Sequence, residues 1–432
     1  MKTAIATALI GLAISACAQA QQAIADLPPE LAGGSTRSER EDCGVGVYGQ
    51  PDDFIAVTKG GAGYRYVFHD GREGAIREDR SVRCVGPQGL EVDGTLYPHR
   101  PIRITEIRFA SKDATLVGQL MEPLNANSET PLVLFAHGSE DSGWIERARD
   151  PYQMVARGLS VFVYDKRGTG RSGGVYSQNF PELADDLVAA SRIAKRLAAG
   201  RFGRFGLIGL SQGGWIAPLA AERADADFLF IGYGLVADIL EEDAAQVELE
   251  LREAGYGDDA VAKAKILTDV TARLAVSNYQ DGLDDLDRLR EAYKSEPWLS
   301  KVRGGFSGVI LGMKTQELRE SGIPMFDRLR IDWSLKPMDV MRKVKAPQLW
   351  ALAGSDREAP IATTLARLET VRSEGRDLRI RVFPKTDHGI WEFDQGPDGS
   401  RRNTRISEGY FDLMADWAKG DLRDVYGKSV AR

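Results

Sequence analysis

Short apolar runs separated by turns dominate the chain from residue 102 onward. Residues 104–123 alternate apolar and polar side chains, which predicts a half-exposed β-hairpin. Six later runs follow, and most of them carry few polar residues on either face, as is typical of buried strands in a parallel sheet. These runs are PLVLFAHG, SVFVYDKRG, RFGLIGLS, DFLFIGYG, APQLWALAGSD and LRIRVFPKTDHG.

Helical patterns separate these runs. In PELADDLVAASRIAKRL, apolar residues recur at helical spacing from Leu183 to Leu197, and Pro181 suits a first helical turn. Strands alternating with helices predict an α/β fold, with a mostly parallel twisted sheet and helices on both faces. We assign this domain to residues 101–432. Its interval of about 235–345 has helix-like segments and no convincing buried strand, which predicts a helical cap over the carboxyl edge of the sheet.

Residues 41–100 have a different character, with the strand-like segments FIAVT and YRYVF and a hairpin signal at Asp70–Gly71. We predict a small β-rich accessory module here, preceded by a leader rich in Pro, Gly and Ser that extends to about Arg40. Leader and module together span residues 21–100.

The first 20 residues resemble a secretory signal peptide. Lys2 precedes an apolar stretch from Ala4 to Ile14, and Ala18-Gln19-Ala20 fits a small-residue cleavage site. The stretch is shorter than the roughly 20 apolar residues that span a bilayer. Export to the bacterial periplasm or the medium is the prediction. The alternatives are a mature N-terminal helix and a lipoprotein, because ISAC resembles a lipobox that would place a lipid on Cys17.

Composition narrows the class of function. Removal of the signal leaves only Cys43 and Cys84, an even pair that predicts a disulfide in an oxidising compartment, with two buried free thiols as the alternative. Two cysteines without a nearby histidine pair do not make zinc spacing, so no metal is expected. A net charge of -7 gives no basic surface for nucleic acid.

The strongest chemical signal is Gly209-Leu210-Ser211-Gln212-Gly213, a G-x-S-x-G motif between a buried strand and a helix. A serine hydroxyl becomes a useful nucleophile only when it stands clear of the backbone beside a base. Small neighbours allow the sharp turn that presents it. The alternative for the same residues is a tight turn without chemistry. The strand-to-helix setting favours Ser211 as a nucleophile.

His388 is the predicted general base, because it lies in a loop after the last apolar strand, where the Ser–acid–His chain order places the base. Asp356 ends the preceding strand and is the predicted acid that orients the imidazole. Glu358 is a nearby rival, and Asp387 is adjacent to the base in sequence. Helix capping or solvated loop charge is the other interpretation of these carboxylates.

Acyl transfer also needs donors for a developing oxyanion. The backbone N–H of Gln212, directly after the nucleophile, is one predicted donor. The loop HGS after an earlier strand supplies the other, the N–H of Ser139, with Gly138 permitting the turn. His137 is expected to be a structural loop residue.

The motifs HGS, YDKRGTGRSGG, GLSQGG, AGSD and DHG, in this order, resemble the α/β-hydrolase superfamily, and within it an exported carboxylesterase-like and serine-aminopeptidase-like branch. The resemblance extends over about residues 102–419. It implies an α/β-hydrolase fold, a triad of Ser211, His388 and Asp356, and structural roles for the acid and arginine of the loop from Asp165 to Ser172. Residues 21–100 have no counterpart in the minimal fold.

Residues in and near the predicted cap are candidates for binding the substrate. Trp144, Trp298 and Trp333, with the cap residues Phe306 and Phe326, are candidates for lining an apolar acyl pocket, or else for packing in the cap core. The acidic run LEEDAAQVELELRE is interpreted as the solvated face of a helix. Binding of a substrate ammonium by these carboxylates is the alternative.

These observations predict a serine hydrolase that cleaves small carboxylic esters through an acyl-enzyme, with no metal or organic cofactor. An aminopeptidase or other amide hydrolase using the same triad on short peptides is the first alternative. Acyl transfer to an acceptor other than water and a non-catalytic binding protein are the others.

Overall fold

The computed structural model describes residues 43–61, 63–86, 89–322 and 328–432. The predicted signal peptide, the leader, Cys17 and Phe326 lie outside these ranges.

The N-terminal module is an antiparallel sheet of seven strands in the order β4-β3-β2-β1-β7-β6-β5. A disulfide joins Cys43 to Cys84, both buried, as expected from the sequence. The Asp70–Gly71 turn links β3 to β4 as predicted. The strands are β1 (Gly46–Gln50), β2 (Asp53–Lys59), β3 (Tyr64–Phe68), β4 (Glu73–Ala75), β5 (Val82–Cys84), β6 (Gly89–Val92) and β7 (Thr95–Arg100).

The second sheet has nine strands in the order β19-β15-β14-β13-β12-β10-β11-β9-β8. Its predicted hairpin is β8 and β9, and β10 to β15 are the six predicted buried strands, mutually parallel. The strands of this sheet are β8 (Ile102–Ser111), β9 (Ala114–Pro123), β10 (Leu132–Ala136), β11 (Ser160–Asp165), β12 (Phe205–Leu210), β13 (Phe228–Gly232), β14 (Gln348–Ala353), β15 (Leu378–Phe383) and β19 (Val430–Ala431). Three further strands are β16 (Thr386–Asp387), β17 (Trp391–Gln395) and β18 (Arg401–Ile406). Strands β16, β17 and β18 form a separate antiparallel sheet that the sequence analysis did not predict.

Helices cover both faces of the nine-stranded sheet, which confirms the predicted α/β-hydrolase fold. The main helices are α1 (Arg149–Ala156), α2 (Phe180–Leu197), α3 (Gly213–Ala220), α4 (Ile239–Glu253), α5 (Asp258–Val276), α6 (Leu283–Tyr293), α7 (Pro337–Lys343), α8 (Ile361–Ser373) and α9 (Tyr410–Lys419). One apolar core lies between the sheet and α2, α3 and α8. A second core lies between the opposite face, α1 and α9, and includes side chains of the N-terminal module.

Every described element between Gly234 and Lys345 is helical. Besides α4 to α7 there are short helical segments at Pro297–Lys301, Gly304–Gly308, Val309–Gly312, Thr315–Glu317 and Leu318–Gly322. This cap has its own apolar core, built around Leu251, Leu267 and Trp298. Among the described residues, no helix is long and apolar enough to cross a membrane.

Candidate active site

Ser211 occupies a sharp elbow between β12 and α3. Its φ of +52° lies in the left-handed region, which a residue with a side chain adopts only under strain. Glycines make the elbow possible: a Cβ on Gly209 would lie 2.3 Å from the carbonyl oxygen of Gly213, and one on Gly213 would lie 2.2 Å from that of Ala136. The strand and helix therefore approach too closely for any larger residue at either position.

His388 lies within hydrogen-bonding distance of both Ser211 and Asp356. Ser211 follows β12, Asp356 follows β14, and His388 directly follows β16. The Oγ of Ser211 is 2.9 Å from the Nε2 of His388, and the Nδ1 of His388 is 2.9 Å from the Oδ2 of Asp356. Nδ1–H donates to the carboxylate, so Nε2 is left to accept the serine proton. The other oxygen of Asp356 accepts the backbone N–H groups of Glu358 and Ala359, which fixes the carboxylate.

The two rival carboxylates occupy other positions. The Oε2 of Glu358 lies 3.4 Å from Nε2 of His388, on the nitrogen that faces the nucleophile. It therefore does not orient the ring from Nδ1. Asp387 does not bond the imidazole of His388: its Oδ1 accepts the backbone N–H groups of Arg357 and His388.

The charges around His388 set its protonation. Burial lowers the pKa of His388, but the carboxylates of Asp356, Glu358 and Glu242 outweigh burial and raise its pKa above the ordinary value. Burial also raises the pKa of Glu242, to about 8, and the negative charges of Glu358 and Asp356 contribute. For Glu358, burial again raises the pKa of the carboxyl, against the opposing effect of His388.

The predicted oxyanion residues Ser139 and Gln212 line the same cavity as Ser211. The loop that carries Ser139 passes close to the nucleophile, because a Cβ on Gly138 would lie 3.6 Å from the Cβ of Ser211. The side chain of Gln212 also has a role that the sequence analysis did not anticipate. Its Nε2 donates to Oε1 of Gln178 (2.9 Å), which begins a chain of hydrogen bonds across the cavity wall.

That chain reaches the loop of Ser139. The Nε2 of Gln178 donates to the hydroxyl of Tyr176 (2.7 Å), and this hydroxyl donates to the carbonyl oxygen of Ser139. The ammonium of Lys166, which is buried, donates to the neighbouring carbonyl of Gly138 (2.7 Å). Side chains thus hold the carbonyls of Gly138 and Ser139. The side chain of Gln212 is connected to the same loop through this chain of hydrogen bonds.

His137 is structural, as expected. Its Nε2 accepts the backbone N–H of Lys166, so Nδ1 carries the proton and donates to Glu140. Burial lowers the pKa of His137, against the opposing effect of Glu140.

The acid and arginine of the loop from Asp165 to Ser172 also support structure. Oδ1 of Asp165 accepts the N–H groups of Trp144 and Ile145. The fully buried guanidinium of Arg167 pairs with Asp186, among other carboxylates.

The cavity beside Ser211 has an apolar wall and an acidic wall. Its apolar residues are Phe180, Trp215, Ile239, Phe306 and Ile331. Its acidic wall is formed by Glu242 and Glu358, with Asp243 and the amide of Gln246.

Of the predicted pocket aromatics, Phe306 lines this cavity and three tryptophans do not. Trp298 lies in the cap core, 1% exposed. Trp144 stacks on the ring of His137, and Trp333 lines a smaller neighbouring cavity. Phe180 and Trp215 were not predicted because their places in helical apolar stripes are those of ordinary core residues.

The acidic run lies in helix α4, and not all of its carboxylates face solvent as the sequence analysis expected. Glu242 faces the cavity, and Asp243 is buried, where it accepts the N–H groups of Phe306 and Ser307. Glu253, the last residue of the helix, pairs with Arg357, directly after Asp356, and with Arg401 of β18. The position of Glu242 one turn into a capping helix, beside a predicted site, is the signal that could have identified it.

The chain is similar in sequence to a family of known proteins. The model of the alpha/beta hydrolase family matches residues 133–399, more than half of the chain. A monoacylglycerol lipase of Mycolicibacterium smegmatis is 25% identical over 268 residues, 60% of this chain and 81% of the lipase. Acylamino-acid-releasing enzyme 2 of Oryza sativa subsp. japonica is 37% identical over 75 residues, 17% of this chain and 10% of that enzyme.

Two similar solved structures are an acylaminoacyl peptidase of Pyrococcus horikoshii and an esterase of Pyrococcus furiosus, each 16% identical. The peptidase has a TM-score of 0.41, with 79% of this chain and 45% of the peptidase covered. The esterase has a TM-score of 0.42, with 66% of this chain and 84% of the esterase covered. On the match of the family model, the chain belongs to the alpha/beta hydrolase family.

Proposed function

We propose that this protein is a serine hydrolase that cleaves carboxylic esters through an acyl-enzyme. The observation that carries the proposal is the pair of 2.9 Å hydrogen bonds that links Ser211 to His388 and His388 to Asp356. The cavity lies open beside Ser211 and has an apolar wall suited to a small acyl group.

In the proposed mechanism, Oγ of Ser211 attacks the ester carbonyl while Nε2 of His388 takes its proton. Asp356 stabilises the imidazolium that forms, and backbone N–H groups of Ser139 and Gln212 bind the oxyanion. His388 then gives the proton to the leaving alcohol. Water, deprotonated by the same imidazole, attacks the acyl-enzyme, the bond from the acyl carbon to Oγ breaks, and His388 returns the proton to Oγ of Ser211 as the acid is released.

The test is Ser211→Ala. We expect loss of p-nitrophenyl butyrate turnover by about 10⁴-fold or more, with an unchanged thermal unfolding midpoint. A fluorophosphonate probe should label the native protein at Ser211 and leave the variant unlabelled. Full turnover by a folded Ser211→Ala variant would overturn the proposal.

The acidic wall favours a second candidate, hydrolysis of an amide or ester whose acyl group carries a free amine. Two carboxylates, Glu242 and Glu358, face the cavity that contains Ser211. Because burial and negative neighbours raise the pKa of Glu242 to about 8, a bound ammonium would be compensated by release of its proton.

Matched substrates separate the two candidates. We would compare leucine p-nitroanilide with p-nitrophenyl butyrate, and leucine methyl ester with its N-acetylated form. The second candidate predicts a preference for the free amine, which Glu242→Gln reduces by about 10- to 100-fold. The exposed Glu248→Gln on the same helix is the control. Equal rates for free and acetylated amines would rule the second candidate out.

A further inference from the structure

Asp387 connects the loop of the predicted acid to the loop of the predicted base. Its Oδ1 accepts the backbone N–H of Arg357 at 3.0 Å and the backbone N–H of His388 at 2.9 Å. Arg357 is the residue directly after Asp356. One carboxylate oxygen therefore joins the backbone beside the acid to the backbone of the base.

Arg401 holds the other oxygen of Asp387. Its Nη1 donates to Oδ2 of Asp387 at 2.7 Å and to the carbonyl oxygen of Ser355, the residue directly before Asp356. The side chain of Arg401 is only 8% exposed, and its guanidinium lies 4.1 Å from the ring centre of Phe393. A planar guanidinium enclosed by fixed acceptors retains its orientation, which a flexible ammonium would not.

The placement of these groups is set by the small sheet that follows His388. Arg401 begins β18, which pairs with β17, and β17 pairs with β16, whose last residue is Asp387. Nη2 of Arg401 also donates to Glu253, the last residue of α4, at 2.9 Å. The arginine thus contacts the acid loop, the base loop and the cap.

We propose that Asp387 and Arg401 are positioning residues that hold the acid loop and the base loop at the spacing of the His388–Asp356 hydrogen bond. The proposal rests on the serine hydrolase function proposed above. Neither side chain touches the reacting atoms. Their effect is on geometry, and a misplacement of about 1 Å in a catalytic group is enough to lower a rate by about 100-fold.

Asp387→Ala removes the acceptor for both N–H groups. We expect kcat for p-nitrophenyl acetate, per site titrated with a fluorophosphonate, to fall by about 10- to 100-fold with KM little changed. The acidic limb of the kcat/KM profile should move to lower pH, because His388 loses its contact with Asp356, whose carboxylate raises its pKa. Glu358 and Glu242, the other carboxylates that raise the pKa of His388, remain in place.

Asp387→Asn separates geometry from charge. It removes the same negative charge as Asp387→Ala but keeps an oxygen acceptor for the two N–H groups. On a logarithmic scale, its loss in kcat should be at most half that of Asp387→Ala, and its acidic pH limb should move less. Arg401→Lys should also lower kcat, because a single ammonium does not reproduce the planar set of N–H donors of the guanidinium. Asp394→Ala, which breaks the exposed pair with Arg402 on the same hairpin, is the control and should behave as wild type.

A merely structural role predicts a different result. In that case Asp387→Ala has fewer active sites that react with the fluorophosphonate, while kcat per reactive site and the acidic pH limb stay at wild-type values. That result overturns the proposal. Failure of the hydrolase function itself would show separately, as absent labelling and turnover in the wild-type protein.

Discussion

Individual side chains set the working pH of the proposed reaction. His388 acts as a base only when its imidazole is neutral, yet three carboxylates face it and stabilise the imidazolium. Burial lowers its pKa and these charges raise it, with a net rise above the ordinary value. Turnover should therefore increase as the pH rises above neutrality, until the imidazolium is fully deprotonated.

Glu358→Gln tests this balance. The substitution removes a negative charge 3.4 Å from Nε2 of His388, so the imidazolium is less stable and its pKa falls. The acidic limb of the kcat/KM profile for p-nitrophenyl acetate should move to lower pH, with higher relative activity below neutrality. Glu369→Gln, at a partly exposed ion pair on α8, is the control. An unmoved limb in the Glu358 variant would contradict the assignment of its charge.

Tyr176→Phe tests the support of the oxyanion loop. The variant keeps the ring and removes the hydroxyl that donates to the carbonyl of Ser139. Because the loop loses one of its two side-chain donors, we expect kcat for p-nitrophenyl acetate to fall by about 10-fold, with KM and the thermal midpoint nearly unchanged. A kcat equal to wild type would show that Lys166 alone holds the loop.

At the scale of elements, the sequence predicted the sheet well because each buried strand is a continuous apolar run bounded by turn residues. The predicted strand ends also located the elbow at Ser211 and the loops of Asp356 and His388, because these lie where such strands end. Gln178 and Arg401 could not be identified in this way. Their roles depend on which distant element packs beside them, and a polar residue in a loop such as Gln178, or in a hairpin such as Arg401, carries no local sign of that partner.

Helix α4 offers a test of how the cap is attached. Glu253, at its end, pairs with Arg357 at 2.6 Å and with Arg401 at 2.9 Å. Glu253→Gln should loosen the helix over the cavity and raise KM for p-nitrophenyl octanoate by about fivefold, since partly exposed ion pairs contribute up to about 1 kcal/mol. Turnover of p-nitrophenyl acetate should stay near wild type. Glu248→Gln on the same helix is the control, and identical KM values in both variants would argue against this attachment.

At the scale of the whole molecule, the N-terminal module contacts both α1 and the end of β18, the strand that begins with Arg401. Gln153 of α1 and Arg157, which directly follows this helix, donate to backbone carbonyls of Val67 and His69 in the module. The N–H of Ile406, at the end of β18, donates to the carbonyl of Gly71. The module therefore supports the hairpin that carries Arg401. Export of the protein stays a prediction from its first 20 residues.

The double variant Cys43→Ser and Cys84→Ser tests what the disulfide contributes. The bridge closes a loop with a sequence separation of 41, for which the chain-entropy model gives a stabilisation of about 4 kcal/mol. We expect a lower urea midpoint for unfolding of the module, while turnover of p-nitrophenyl acetate at 25 °C stays near wild type because no module residue lines the cavity. Reduction of the wild-type protein with dithiothreitol should reproduce the shift and should not affect the variant. If the variant instead loses turnover before it unfolds, the module acts on the active site through β18, since that strand joins the module to Arg401.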